Sequence, residues 1–421
     1  MKKTVLVLPA GTEIGHEIFE CLQYSKHWNV VGANNVPDHS QLTFRQVRYG
    51  LPFVDDENFV NAVQSIVDEI KADFVVPAHD EAIYKLADAL ERCIVVGPKR
   101  RLSETLRLKS ETIAALKDTV PLPRDFDPRL GFPCFVKPDR GQGSRGARVI
   151  NDASSLAKVL DEPQPYVIQE YLPGPEVTID CFSTPNHELI YCGPRNRARV
   201  SGGIATRMTR VNENIFHEYA KLISSKLRIE GAWFFQMKQD SSGEFKLLEV
   251  ANRIAGSSGF QRMLGVNFMD AWLHQLLGAP ISFCGVNGVD VVYDRALYGK
   301  VRSDFQPTAV YVDFDDTILL DSDRLNYGLV GILYGLKSKL VPIILITRHA
   351  ECPSSRLESL GIKSLFKEVI HLKAGEAKSV HIRGERPVFV DDSYRERKDV
   401  AENTAALCLP PESYPLLESM I

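Results

Sequence analysis

The stretch "FPCFVKPDRGQGSRGARVI", Phe132 to Ile150, reads as a short apolar strand, then a lysine, then a basic glycine-rich loop. Lys137 closes the strand "CFVK", where its ammonium serves as a point charge for phosphate oxygens. Gly141, Gly143 and Gly146 let backbone N–H groups approach a phosphate with no Cβ in the way. Ser144 and Arg145 add hydrogen-bond donors. It is not a Walker A loop, because the lysine precedes the glycines and no Gly-Lys-Ser/Thr follows. Alone, a surface hairpin has the same composition, so the decision rests on the flanking segments.

Those segments come in a definite order. "YVIQEYLPGPEVTIDCF" (Tyr166 to Phe182) is strand, acidic linker, glycine turn, acidic residue, strand. "AWFFQMKQDSSGEFKLLEVANRIAGSSG" (Ala232 to Gly259) is a hairpin whose second strand ends in a glutamate and an arginine. With the glycine loop, this series resembles the ATP-grasp superfamily, in its carboxylate–amine ligase and carbamoyl-phosphate-synthetase-like branch, over roughly residues 1–285.

The resemblance implies roles position by position. Lys109, in "LRLKSETIAAL", and Lys137 are the two nucleotide lysines, and Gly141 to Gly146 form the mobile loop over the phosphates. Glu170 and Leu172, in "QEYL", are the hinge that meets adenine, and Glu176 is the acidic residue for ribose. Gln236 and Glu249 stand near the metal, which is magnesium, with manganese the alternative. Arg253 and the basic run Arg195, Arg197, Arg199 are candidates to neutralise phosphate or hold a substrate carboxylate; an exposed basic strand is the alternative, and function is favoured for Arg253 and at least one of the run. Arg207 lies further along the same basic segment. The implied chemistry is acyl-phosphate formation from a small-molecule carboxylate, then displacement by an amine, which needs no nucleophilic Ser or Cys.

One position departs from the family pattern Glu-x-Asn-x-Arg. Here it reads Glu249-Val250-Ala251-Asn252-Arg253, so Ala251 stands at the usual Asn position. Strand alternation points Asn252 the other way. Either a bulge re-aims Asn252 to the metal, or water or another side chain replaces that ligand.

The second decisive stretch is "TAVYVDFDDTILL", Thr308 to Leu320. Asp313 and Asp315, two apart on an extended segment, point to one side, a repulsive arrangement unless a cation sits between them. The pattern, with "VPIILITRHA" and "PVFVDDS" downstream, resembles the haloacid dehalogenase (HAD) superfamily of phosphatases over roughly residues 307–421. It implies Asp313 as nucleophile and Asp315 as general acid/base. Thr347 is the phosphate-binding hydroxyl, and Lys378 the neutralising lysine, with Lys373 the competing choice. Asp313, Asp315, Asp391 and Asp392 are the groups about Mg²⁺. The short span from Thr317 to Thr347 leaves room for a helix or two but no large cap, which implies either an open site that admits a bulky or macromolecular phosphoester or a site closed by the ligase half.

The expected architecture is therefore α/β and α+β, multidomain. A Rossmann-like domain occupies 1–97 and an ATP-grasp domain 98–285. A closing strand and linker span 286–306, and a HAD-like Rossmannoid domain with little or no cap spans 307–421. The turn Gly11 to Gly15 lacks GxGxxG spacing and is read as a tight strand-to-helix turn, not a dinucleotide site. With 44% apolar and 25% charged residues, the composition is that of globular proteins. A net charge of −4 offers no field for nucleic acid. Eight scattered cysteines, none in CxxC or with a histidine at ligand spacing, argue against structural zinc and fit a reducing cytoplasm. Pro9 cuts the first apolar run short, as in a strand and not a signal peptide, and no run suits a membrane span. Related ligases suggest a homodimer. A kinase-like or carbamoyl-phosphate-forming enzyme, and an ATP sensor governing the phosphatase, remain the alternative readings.

Overall fold

The computed structural model describes residues 2–141, 143, 145–283, 290–296, 299, 301, 303–320 and 324–421. The chain forms two compact units, 1–297 and 298–421.

The first unit opens with a parallel sheet. Its strands are β1 (Lys3–Leu8), β2 (Trp28–Ala33), β3 (Val47–Arg48), β4 (Phe74–Pro77) and β5 (Ile94–Val95), in the order β3-β2-β1-β4-β5. Helices α1 (Glu13–Leu22), α2 (Phe59–Ile70) and α3 (Asp80–Leu86) are the crossovers. "TVLVL" is apolar at every position because both faces are covered: Val5 and Val7 join one core cluster, Leu6 and Leu8 another. The Gly11–Gly15 turn is the tight turn expected. The Thr12 hydroxyl caps α1 by accepting from the Gly15 N–H at 2.9 Å, and a Cβ on Gly15 would lie 2.8 Å from the Pro9 and Ala10 carbonyls. The strand order reverses between β1 and β4, so their carboxyl ends open a crevice. The segment His79-Asp80-Glu81, which begins α3, lies at that end.

Helices α4 (Arg100–Arg107) and α5 (Lys109–Leu116) lead to two antiparallel sheets. One has β6 (Cys134–Pro138), β7 (Arg148–Ile150) and β8 (Tyr166–Glu170) in the order β7-β6-β8. The other has β9 (Glu176–Ser183), β10 (Leu189–Asn196), β13 (Gly231–Gln239) and β14 (Phe245–Ala251) in the order β10-β9-β13-β14. A small third sheet joins β11 (Arg199–Ser201), β12 (Ile204–Met208) and β15 (Tyr293–Asp294). Alternation along β13 sends Trp233, Phe235 and Met237 into a core with Phe216, Ala220 and Ile223 of the helix Ile215–Leu227. Gln236, between them, pairs with Glu249 across β14. The register slips between Gln236 and Met237, leaving Leu248 as an extra residue on β14.

The second unit is again a parallel sheet. From β16 (Ala309–Val312) the chain makes a hairpin of β17 (Leu319–Leu320) and β18 (Arg324–Leu325), then the helix Tyr327–Ser338. It continues through β19 (Ile343–Thr347), β20 (Glu368–His371), β21 (Pro387–Val390) and β22 (Leu407–Leu409). The order is β20-β19-β16-β21-β22. Val310 and Val312 pack on one face, Ala309 and Tyr311 on the other. One hairpin and one helix are all the regular structure described between Thr317 and β19, so no cap domain stands there among the described residues.

Candidate functional sites

In the first unit, β6, β14, α3 and the start of α5 wall a cavity of about 780 Å³. A smaller one of about 130 Å³ adjoins it, bordered by Lys137, Gly143, Glu170, Leu172, Glu176 and Gln236. Both share Lys109, Gly141, Arg145 and Glu249 as walls. Lys137, 6% exposed, ends β6 and donates to the Leu248 carbonyl at 3.1 Å, so the bulge residue offers it the acceptor. Burial lowers the Lys137 ammonium to about 8, with Glu249 opposing the shift. Burial lowers Lys109 as well, again against the pull of Glu249. The Lys109 ammonium donates to the carbonyls of Gly141 (2.9 Å) and Asp139 (3.3 Å). Asp139 caps α5 by accepting from the Ser110 N–H and hydroxyl, both at 2.7 Å. The loop needs its glycines: Gly143 has φ +66°, and at Gly146, φ +73°, a Cβ would stand 2.9 Å from Pro138.

Arg253 reaches the same cavity. Its Nε and Nη2 donate to the Asp80 carboxylate at 2.5 and 3.0 Å, and it lies 5.2 Å over the Phe234 ring. Burial works against the ionised Asp80, yet Arg253, His79 and Lys109 together hold its carboxyl below the usual range.

Several expected residues are engaged elsewhere. Arg195 is wholly buried and spends Nε and Nη2 on Asp180 (2.6 and 3.3 Å) and Nη1 on the Met208 sulfur (3.1 Å). It is a structural ion pair, not a substrate contact. Arg199 is exposed on β11 and lines neither cavity. Arg197 pairs with Glu176 at 2.7 Å, so the ribose candidate meets a guanidinium on the smaller cavity's wall. The Glu170 carboxylate accepts from the Arg124 N–H (2.9 Å) and its guanidinium (2.5 and 2.8 Å). Asn252 corrects the sequence expectation. The bulge lies before Glu249 and does not re-aim Asn252, which shares the buried side with Val250 and donates to the Glu230 and Ala232 carbonyls, both at 3.0 Å. Ala251 therefore takes the place beside Glu249 and offers no ligand. Ser144 lies outside the described residues.

In the second unit the carboxyl ends of three neighbouring strands converge. The Lys378 ammonium, 3% exposed, sits 2.8 Å from Asp313 and 2.6 Å from Asp391. Carboxylate oxygens of Asp313, Asp391 and Asp392 lie within 4.8 Å of one another. Burial raises the Asp313 carboxyl to about 6; Lys378 opposes the shift and Asp391 adds to it. Burial raises Asp391 too. Thr347 is fully buried, and its hydroxyl accepts from the His349 N–H at 3.1 Å. The Thr317 hydroxyl accepts from the Asp392 N–H at 3.1 Å and ties the β16 turn to the β21 turn. The Asp315 side chain stands apart from the acidic trio. Its oxygens lie 2.8 and 3.1 Å from His349 Nδ1, so it is not among the carboxylates close enough together to share a cation.

Sequence reasoning missed His79, Asp80, Glu81 and Arg140 in the first unit and His349 in the second. Glu81 accepts from Arg107 at 2.9 Å and also from Arg140 of the glycine-rich loop. The His79 Nδ1 accepts from the Glu81 N–H at 3.2 Å, which puts the ring proton on Nε2. The signal was present: "PAHDE" follows an apolar strand at the switch of strand order.

Residues 162–293 match the family described as "ATP-grasp in the biosynthetic pathway with Ter operon". A formate-dependent phosphoribosylglycinamide formyltransferase of Prochlorococcus marinus is 23% identical over 65% of this chain and 72% of its own. A carbamoyl phosphate synthase large chain of Clostridium botulinum is 27% identical over 40% of this chain, but that match spans 17% of the larger protein. Among solved structures, the biotin carboxylase domain dimer of Hydrogenobacter thermophilus 2-oxoglutarate carboxylase, with MgADP, ADP and bicarbonate, has a TM-score of 0.57 at 16% identity, covering 67% of this chain and 71% of that one. The L-amino acid ligase of Bacillus licheniformis has a TM-score of 0.53 at 21% identity, covering 67% and 75%. No helix among the described residues is long and apolar enough to cross a membrane. With two antiparallel sheets about the cavity and this matched segment, the first unit has the ATP-grasp fold.

Proposed function

We propose that the first unit uses ATP to join a small-molecule carboxylate to an amine, and that the second hydrolyses a phosphoester through an aspartyl-phosphate. The ligase reading is carried by the meeting of Lys109, Lys137, Glu249 and Arg253 on two adjoining cavities. Buried ammonium groups facing a glycine-rich loop suit a polyanion. A substrate carboxylate oxygen attacks the γ-phosphorus and ADP leaves. The amine nitrogen, its proton lost, then attacks the acyl carbon and phosphate departs. Arg253 uses three of its five N–H groups on Asp80 and the Ile254 carbonyl, so two remain for developing charge. Gln236 and Glu249 suit a magnesium ion that takes its other ligands from phosphate and water. The solved biotin carboxylase domain holds MgADP, in keeping with ATP and Mg²⁺ for this chain. A cytoplasmic homodimer belongs to the same reading.

The phosphatase reading rests on the HAD-like motifs, on the converging carboxylates of Asp313, Asp391 and Asp392, and on Lys378 between the first two. Three carboxylates so close together suit a divalent cation, which when bound offsets their charge and that of phosphate. Asp313 Oδ attacks phosphorus, and the P–O bond to the leaving group breaks as Asp315 gives that oxygen its proton. Water then returns a proton to Asp315 as its oxygen attacks phosphorus and Asp313 departs.

The test uses Asp313→Asn protein, so that the second site cannot consume phosphorylated products. ADP release from Mg·ATP is recorded across amino acids, dipeptides and small carboxylates, singly and in pairs. ADP that appears only with a carboxylate–amine pair supports ligation. ADP formed with one substrate, which leaves phosphorylated, replaces ligation by a kinase-like reaction. ATP binding with no turnover leaves the sensor reading.

A further inference from the structure

We propose that His349 is a positioning residue for phosphoester cleavage: it aims the Asp315 carboxyl at the leaving oxygen. The inference rests on the phosphatase reading above and adds a residue that the HAD-like motifs do not contain.

The Asp315 carboxylate lacks the buried lysine anchor that Asp313 and Asp391 share. Asp313 and Asp391 are held by Lys378 in the interior. The Asp315 side chain is 47% exposed, and its carboxylate's hydrogen-bonding partner among the described residues is His349. His349 is fixed on four sides. Its N–H donates to Thr347 Oγ at 3.1 Å. Its carbonyl accepts from His371 Nε2 at 2.8 Å. Its ring meets Phe314, the residue between the two aspartates, edge to face at 5.0 Å and 84°. Its Nδ1 stands 2.8 and 3.1 Å from the Asp315 oxygens. The imidazole, 16% exposed, thus joins the turn after β16 to the turn after β19.

A half-exposed pair of this kind adds little to stability. Its effect falls on geometry. A general acid works within hydrogen-bond reach of the oxygen it protonates, and a misplacement of about 1 Å costs on the order of 10²-fold. A free Asp315 side chain samples several rotamers; the His349 contact selects one. His349 neither gives nor takes a proton in the cycle. The proton moves from Asp315 to the leaving group, and from water back to Asp315.

Leaving-group dependence separates positioning from a merely structural role. The full chain with Mg²⁺ is assayed on ring-substituted phenyl phosphates of similar size, from nitro to methoxy, with His349→Ala, His349→Asn and Asp315→Asn. An acid matters most where the leaving oxygen is most basic. His349→Ala is expected to lower kcat/KM about 100-fold on the methoxy ester and less than 10-fold on the nitro ester, with the steep trend of Asp315→Asn. His349→Asn, which keeps an N–H near the place of Nδ1, is expected to recover most of the loss. An equal fall on every ester, or no fall, overturns the proposal. If His349→Ala fails to fold, the His349→Asn slope decides: a slope as steep as that of Asp315→Asn overturns it. Wild-type protein inert on all the esters overturns the phosphatase reading, and this inference with it.

Discussion

Lys137 and Asp313 are the buried ionisable groups at the hearts of the two sites, and burial pushes both toward neutrality. The lysine falls to about 8 and the aspartate rises to about 6. Each has partners that oppose the shift without cancelling it: Glu249 for Lys137, Lys378 for Asp313. The first site sets Lys109, Lys137 and Arg253 beside Glu249 and Asp80. The second sets Asp313 and Asp391 about one buried lysine, with Asp392 close by. A charge held where solvent cannot relax is strained until its counter-ion arrives. These settings agree with the proposed ligands, a polyphosphate in one site and a divalent cation with a phosphoester in the other.

The largest expected effect breaks one side and leaves the other intact. Asp313→Asn should abolish phosphoester hydrolysis, a fall on the order of 10⁴-fold or more, because it removes the nucleophile. ATP-dependent turnover should not change. The metal-free protein should unfold at the same temperature as wild type or higher, since one of three crowded negative charges is gone. With its folded value raised above 3.8, Asp313 detracts from stability above about pH 6, and that cost fades as pH falls through 6. Scanning calorimetry in chelator at pH 7.5 checks the sign, and a lower Tm would contradict it.

Next in size is a residue that resembles the site but lies outside it. Arg195→Met leaves the Asp180 carboxylate buried with only Gln261 Nε2 at 3.1 Å among its strong donors. Unfolding in urea should show a loss of about 3–5 kcal/mol. ATP affinity, measured where the variant is folded, should stay within twofold.

Arg195 also shows where sequence reasoning stopped. Pattern alone does not separate it from Arg253. Both are arginines at strand ends in basic or glycine-rich company, and the difference is the partner, Asp180 buried beside one and Asp80 on a cavity wall beside the other. Elements whose signal is local were legible: the apolar strands of both parallel sheets, Lys109 at the start of α5, Lys137 at the end of β6, and the DxD turn. The alternation rule points Asn252 away from Glu249, as the structure has it, and the bulge falls at Leu248, before Glu249, where it does not re-aim Asn252. What topology brings together was not legible. Asp80 meets Arg253 from 173 residues away, and His349 meets Asp315 across two turns. Such contacts exist only once strand order is known.

The nucleotide side sharpens the comparison with a smaller effect. Lys137→Met should weaken ATP binding about 10–100-fold, the worth of one charge-assisted contact. Phosphatase activity should be untouched. The wild-type pH dependence follows from the same ammonium. In the free protein it is half deprotonated near pH 8, and bound phosphates favour the charged form. ATP binding should therefore take up a proton above pH 8, and affinity should fall there by up to about tenfold per pH unit while staying flat below. Stability runs the other way: the folded value is depressed from 10.5, so stability rises as pH climbs from about 8 towards 10.5. Titration calorimetry at pH 8.5 in two buffers of different ionisation enthalpy measures the uptake, and Lys137→Met should abolish it.

The smallest effect tests how the anion-seeking site recruits its own cation. Ala251 shares the face of Glu249 and Arg253, whereas Asn252 faces away, its Nδ2 held by the Glu230 and Ala232 carbonyls and its Oδ1 buried without a hydrogen-bond partner among the described residues. Ala251→Asn would set a carboxamide oxygen beside Glu249, where half-burial leaves room for it. The half-saturating Mg²⁺ for ATP turnover should fall a few-fold, because Mg²⁺ keeps several waters and one more protein oxygen replaces only one of them. Asn252→Ala should act oppositely in kind. It should cost stability by freeing two buried carbonyls, about 1–3 kcal/mol, and leave the Mg²⁺ requirement alone. If Asn252→Ala raised the Mg²⁺ requirement instead, Asn252 would be a ligand after all, and the first site would hold its cation as firmly as the second.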